Sequence, residues 1–118
     1  MPRQMTLSCE TDGDSGRTQV VRLAGRMDAL GGTEVWDDVS PRVSAEKPNL
    51  LLDMTGVQYL SSAGITTLIQ LLNRVKPLGG KLAIFGCNAT LRRVFRVVAL
   101  EPILNVCDTL EEARARVG

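Results

Sequence analysis

Histidine is absent from all 118 residues. That removes Ser-His-Asp and Cys-His nucleophile pairs, imidazole acid–base work and most zinc sites. The chain also has no G-x-x-x-x-G-K-[ST], no G-x-G-x-x-G and no G-x-S-x-G, so the usual phosphate cradles and nucleophile elbow are missing. Aromatics are scarce, with one Trp, one Tyr and two Phe, which argues against a base-stacking surface. Fourteen basic residues against 13 acidic ones give a net charge of +1, without the basic bias of a general nucleic-acid binder. No apolar run is long enough to span a bilayer, and the N-terminus lacks the apolar core of a secretion signal. Cys9, Cys87 and Cys107 are odd in number and widely spaced, with no C-x-x-C. Each sits among apolar neighbours and reads as a small core residue in a reducing compartment. These absences remove the commonest equipment of an enzyme without excluding one, and the expectation is a cytoplasmic, non-enzymatic protein with no metal, no cofactor, no direct nucleic-acid contact and no membrane insertion.

What is present describes one folded domain over residues 1–118. A hydrophobic content of 44% and a charged content of 23% suit a single core in a chain of this length. Met5, Leu7 and Cys9 alternate with polar residues as in a half-buried strand. Turn residues at 12–16 lead to a second extended segment, Thr18 to Ala24, and the two are expected to pair as a hairpin. Residues 25–32 read as a loop, and Thr33 as the cap of a helix carrying Val35, Val39 and Val43, with Pro41 disturbing its later part. Asn49 to Met54 is apolar at successive positions, as in a central strand covered on both faces. Thr55 to Leu60 reads as a short crossover into a helix from Ser62 to about Lys76, closed by Pro77-Leu78-Gly79-Gly80. A strand at 81–85, a helix from Ala89 to about Val98 capped by Asn88, and a short strand at 103–106 follow. Asp108 with Glu111 suggests a capping box for the last helix. The order β-β-α-β-α-β-α-β-α implies an α/β fold, a mixed sheet of four or five strands packed against about four helices.

The helix from Ser62 places Ile65, Leu68, Ile69, Leu72 and Val75 on one apolar arc, with Leu71 at its edge and Thr66, Gln70, Asn73 and Arg74 opposite. Two serines, Ser61 and Ser62, stand at its entrance, where backbone N–H groups point outward and favour an anion. The next helix turns Leu91, Val94, Phe95 and Val98 inward and Arg92, Arg93 and Arg96 outward, a stripe that reads as a solvated charged face.

The stretch L-L-L-D-M-T-G-V-Q-Y-L-S-S-A-G-I, Leu50 to Ile65, resembles the signature of STAS domains, best known from bacterial anti-sigma factor antagonists. Gly25-Arg26-Met27-Asp28 is similar to the family's G-x-[LM]-D, and Gly80-Lys81-Leu82 also fits. The likeness covers essentially the whole chain. It implies a mixed sheet packed on helices, and a protein that binds an anti-sigma factor that is also a serine kinase, releasing the sigma factor. It further implies that phosphorylation of a serine at the helix entrance abolishes binding and that a phosphatase restores it. By position the acceptor is Ser62, with Ala63 where some members carry Ser or Thr. One departure stands out: the family's Asp before the acceptor is Ser61 here, which makes Ser61 a second candidate.

On this reading Asp28, Ser61, Ser62, Gly64 and Thr66 form a partner-binding surface on a monomer. An unmodified Ser62 is expected to accept a hydrogen bond from the first helical turn, worth about 0.5–2 kcal/mol. A phosphate of about −1.5 to −2 charge suits the positive end of a helix dipole, so it should block docking rather than unfold the domain. A rival reading is an unphosphorylated STAS scaffold, such as the regulatory partner of a transporter ATPase. A hydrolase pairing Ser61 or Ser62 with Asp28 or Asp53 lacks any histidine base; ester turnover abolished by Ser62→Ala would revive it.

Overall fold

Parallel pairing dominates the sheet because helices connect most of its strands. The computed structural model describes residues 3–13 and 15–118. β1 (Met5–Asp12) and β2 (Thr18–Met27) form the expected antiparallel hairpin, and β3 (Asn49–Leu60) and β4 (Leu82–Phe85) join parallel in the order β1-β2-β3-β4. The helices are α1 (Ala29–Val39), α2 (Ser62–Val75), α3 (Ala89–Val97) and α4 (Leu110–Val117). Short 3-10 turns follow α1 at Ser40–Arg42 and α2 at Lys76–Leu78, each with a proline in its first positions.

One face of the sheet carries Val21, Leu23, Leu50, Leu52, Met54, Leu82 and Ile84, packed with Val35 and Val39 of α1, Leu68 of α2 and Phe95 of α3 in the main core. The other face offers Val20, Leu51, Ala83 and Phe85 to Ala113 and Val117 of α4. Residues 50–52 are therefore buried in succession, as their unbroken apolar run requires. Thr6, Ser8 and Arg22, beyond the reach of α4, stay exposed.

Four expectations are corrected. α1 begins one turn before Thr33, whose hydroxyl donates to the Ala29 carbonyl inside the helix. Its glycines are there for close approach: a Cβ on Gly31 would lie 2.0 Å from the Arg26 oxygen, and one on Gly32 2.5 Å from Thr67 Oγ1. Tertiary packing overrides their poor helix propensity. Residues 55–60 are not a crossover but the continuation of β3, paired with β2 through two register shifts. Those bulges leave Thr55, Gly56, Gln58 and Tyr59 exposed while Val57 and Leu60 are buried, so the burial repeats every three residues and hides the strand from a period-two reading.

No regular strand forms at 103–106; Val106 makes a single parallel bridge to Ile84, so the sheet has four strands among the described residues. Finally, Thr109 rather than Asp108 caps α4, its Oγ accepting from the Glu112 N–H at 3.2 Å. Asp108 is engaged with Arg92.

Candidate partner-binding site

Parallel strands bring the entrances of α1 and α2 to the same end of the sheet. Met27 ends β2, and its carbonyl accepts from the Ser61 N–H at 3.1 Å. The α1 cap, Asp28, and the α2 cap, Ser61, are thus neighbours although 33 positions apart in sequence. A Cβ on Gly64 would fall 2.1 Å from the Met27 oxygen, so only glycine lets α2 come this close.

The two serines divide the work differently from the sequence expectation. Ser61, not Ser62, is the N-cap: its Oγ accepts from the Gly64 N–H at 3.2 Å and reaches the Met27 carbonyl at 3.4 Å. Its extended backbone, φ −91° and ψ 173°, is that of a cap residue. Ser62 is the first helical residue and is exposed. Among the described residues its hydroxyl has no hydrogen-bond partner; its carbonyl accepts from Thr66 Oγ1 at 3.1 Å. Thr66 is itself exposed one turn on. Asp is as good a cap as Ser, so Ser61 can fill the structural place of the family's Asp while lacking its charge.

Asp28 is half-buried, and its Oδ1 accepts from the Gly31 N–H at 3.0 Å and from Gln4 Nε2 at 2.6 Å. The Gly31 N–H foremost, and the Gln4 amide after it, hold the Asp28 carboxyl below its ordinary range. Gly64 is buried and offers no surface to a partner; its role is the close approach to Met27. The five residues therefore separate: Ser62 and Thr66 face outward, Asp28 and Ser61 build the platform, and Gly64 lies beneath it.

Two apolar side chains at this end escaped the sequence reading. Leu30, in the first turn of α1, is 40% exposed, and Tyr59, two residues before the α2 cap, is 42% exposed. Arg26 lies over the Tyr59 ring, 4.4 Å from its centroid, a cation–π contact that fixes both on one side of the sheet. A lone tyrosine in a chain so poor in aromatics was the available signal; its exposure depended on the unrecognised bulge. Exposed Tyr and Arg are common anchors of protein interfaces.

Near the end of β3 a second carboxylate is already engaged. Asp53 accepts from the Thr55 N–H at 2.9 Å and from Thr55 Oγ1 at 2.6 Å, and faces Arg22 at 3.7 Å. With Ser8 and Ala24 it lines a shallow hollow of about 450 Å³ on the uncovered sheet face. Neither Asp28 nor Asp53 is hydrogen-bonded to Ser61 or Ser62 among the described residues, so no serine–carboxylate pair is assembled. Burial pushes the Cys87 thiol up to about 11 and raises those of Cys9 and Cys107, which keeps all three protonated and unreactive near neutrality.

The STAS domain family model matches residues 11–113. The chain belongs to the STAS domain family. A Thermotoga neapolitana protein named as an anti-sigma factor antagonist homolog is 28% identical over 68 residues, covering 58% of this chain and 60% of that protein. The crystal structure of an anti-sigma factor antagonist from Mycobacterium paratuberculosis superposes with a TM-score of 0.82 at 22% identity, over 99% of this STAS domain and 97% of that chain. SpoIIAA, a Bacillus cell fate determinant, superposes in its phosphorylated form with a TM-score of 0.70 at 20% identity, over 94% and 98% of the two chains. These structural likenesses establish the STAS fold, from the hairpin to α4.

Proposed function

We propose that this STAS domain is an anti-sigma factor antagonist that docks a protein partner through the entrances of α1 and α2 and is switched by phosphorylation of Ser62. The observation that carries this reading is the division of labour between the serines: Ser61 caps the helix, and the neighbouring Ser62 hydroxyl is exposed and unpaired among the described residues. The names of its relatives, and the existence of a phosphorylated SpoIIAA with the same fold, support it. On this reading the partner is an anti-sigma factor with serine-kinase activity, a phosphatase reverses the switch, and the protein acts in the cytoplasm on transcription without catalysing a reaction itself.

The chemistry of the switch follows from the helix entrance. A phosphate on Ser62 places about −1.5 to −2 charge at the positive end of α2, which is favourable to the fold by up to about 2 kcal/mol. The same dianion must be desolvated against a partner surface shaped for a hydroxyl. A penalty of only about 2.7 kcal/mol already weakens docking a hundredfold. Phosphorylation therefore acts on the complex and leaves the domain folded.

Intact-mass analysis of the protein from its native cell, with and without phosphatase treatment, tests the reading. Wild type and Ser61→Ala should both carry the added phosphate, and Ser62→Ala should carry none. Equal phosphate in Ser62→Ala would sink the assignment. A second reading, an unphosphorylated scaffold in another signalling complex, draws on the uncharged Ser61 where the family has Asp. Absence of phosphate under every growth condition would favour it.

A further inference from the structure

At the end of the sheet opposite Ser62, where the parallel strands begin and the helices finish, charge is segregated in a way that the net +1 conceals. Lys47, Arg74, Lys76, Lys81 and Arg116 are all exposed there. Their backbones and side chains are tied to that end. The Lys81 N–H donates to Asn49 Oδ1 at 2.9 Å, and Arg74 donates to the Val43 carbonyl at 3.1 Å. Lys47 Nζ donates to Thr11 Oγ1 at 3.1 Å, and Arg116 donates to Asn105 Oδ1 at 3.4 Å.

Among the described residues none of the five has a carboxylate within ion-pair distance. Of the carboxylates described at this end, Asp12 is held by Arg114, Glu101 by Arg92 and Arg96, and Asp38 by Arg3, leaving Glu46 and, in the last turn of α1, Asp37 as exposed counter-charges against the five cations. Helix dipoles account for cations in the last turns of α2 and α4. They do not account for Lys47 and Lys81, which precede strands.

Where α3 finishes, aliphatic side chains are exposed. Val97 is 77% and Ile103 53% exposed, and Val98, expected in the core, is 44% exposed. α3 ends at Val97, and Ala99 takes a left-handed turn, φ 60°, that leads the chain away before Val98 can be covered. Unpaired cations at the end where α3 also finishes, with exposed aliphatic side chains there, suit a charged, partly apolar boundary.

We propose that this end adsorbs to an anionic lipid bilayer, its cations against the headgroups and Val97 and Ile103 in the interfacial layer. This goes beyond the switch at Ser62 and does not depend on it. The cations come from separate elements spread over a whole end, which matches an extended anionic surface better than a shaped acidic protein. Tyr59 stands at the opposite end and Trp36 is half-buried against the core, so stacking on nucleic acid has no platform here. Each cation near such a surface strengthens partitioning roughly fivefold, and salt weakens the effect. The orientation would leave Ser62 facing the solvent, open to partners.

Sedimentation of the purified protein with phosphatidylglycerol–phosphatidylcholine vesicles, against pure phosphatidylcholine vesicles, tests this. Binding should occur only to the anionic vesicles and fall with added salt. The double variant Lys76→Glu/Lys81→Glu should lose at least about twentyfold in partitioning, and Val97→Asp/Ile103→Asp should also weaken it, both with wild-type circular dichroism. Equal recovery with both vesicle types, no binding at low salt, or binding insensitive to the lysine variant would overturn the proposal. So would retention on polyglutamate or duplex DNA without vesicle binding, which would identify a soluble polyanion instead.

Discussion

The α3–α4 connection and the entrance of α2 are both rich in polar groups, and they use them in opposite ways. In the connection, Arg92 holds Glu101 at 2.5 Å, pairs with Asp108 and reaches the Val106 carbonyl at 3.3 Å. Asn105 donates to the Leu82 carbonyl at 2.9 Å, and Thr109 caps α4. The three arginines read as a solvated stripe are thus partly structural: Arg92 and Arg96 clamp Glu101, and Arg93 stays exposed. At the α2 entrance, Ser61, Gly64 and the Met27 carbonyl close a small network, and Ser62, Thr66, Leu30 and Tyr59 remain outside it. A polar group satisfied internally specifies the fold, whereas one left over is available to a partner.

The sharpest way to break that contrast is to remove the close approach on which the α2 entrance depends. Gly64→Ala puts a methyl 2.1 Å from a backbone oxygen, which no side-chain rotation relieves. Overpacking of this kind costs about 1–3 kcal/mol or more, and the variant should show the largest drop in urea midpoint. Arg92→Ala attacks the connection instead. It strips charged hydrogen bonds from a guanidinium and a Glu101 that are each about four-fifths shielded, for about 1.5–3 kcal/mol. Docking at Ser62 should survive Arg92→Ala, because the clamp lies on other elements.

Acid should weaken both regions, and a variant in the connection separates its share. The Arg92 hydrogen bond holds the Glu101 carboxyl below its usual range, and the Arg114 hydrogen bond does the same for Asp12. The Gly31 N–H does so for Asp28. A carboxyl lowered in the folded state adds stability that is present above its unfolded value, about 4. That stability is lost as pH falls through the lower folded value. Thermal melts should therefore fall below about pH 4, and Arg92→Ala should flatten the slope by removing the Glu101 share. An acid slope unchanged in Arg92→Ala would refute this assignment.

Which parts of this contrast were readable from the chain depends on how local their causes are. The hairpin, the central strand at 50–52, α2 and its Pro-Gly stop, and the Asn88 cap of α3 rest on neighbouring residues, and the structure shows them. The same holds for the entrance serines, since a hydroxyl pair before an apolar-periodic helix marks its own position. Choosing between Ser61 and Ser62 was not local: it turned on the Met27 carbonyl, delivered by β2, which fixes where α2 starts. The start of α1 was hidden behind two glycines whose reason is Arg26 and Thr67, and Tyr59 behind a bulge set by pairing with β2. Val98 was misplaced because helical periodicity carries no information about where α3 stops.

The smallest effect makes the finest test of the division between the serines. Ser61→Ala removes the acceptor for the Gly64 N–H and should cost about 1 kcal/mol, while Ser61→Asp keeps an acceptor at the positive end of α2 and should restore stability. Ser62→Ala removes a hydroxyl that bonds nothing among the described residues and should stay within about 0.5 kcal/mol of wild type. Urea denaturation of the three variants measures the order directly. If Ser62→Ala proved the more costly of the two alanine variants, the free hydroxyl would belong to Ser61, and the surface offered to a partner would shift by one residue around the helix.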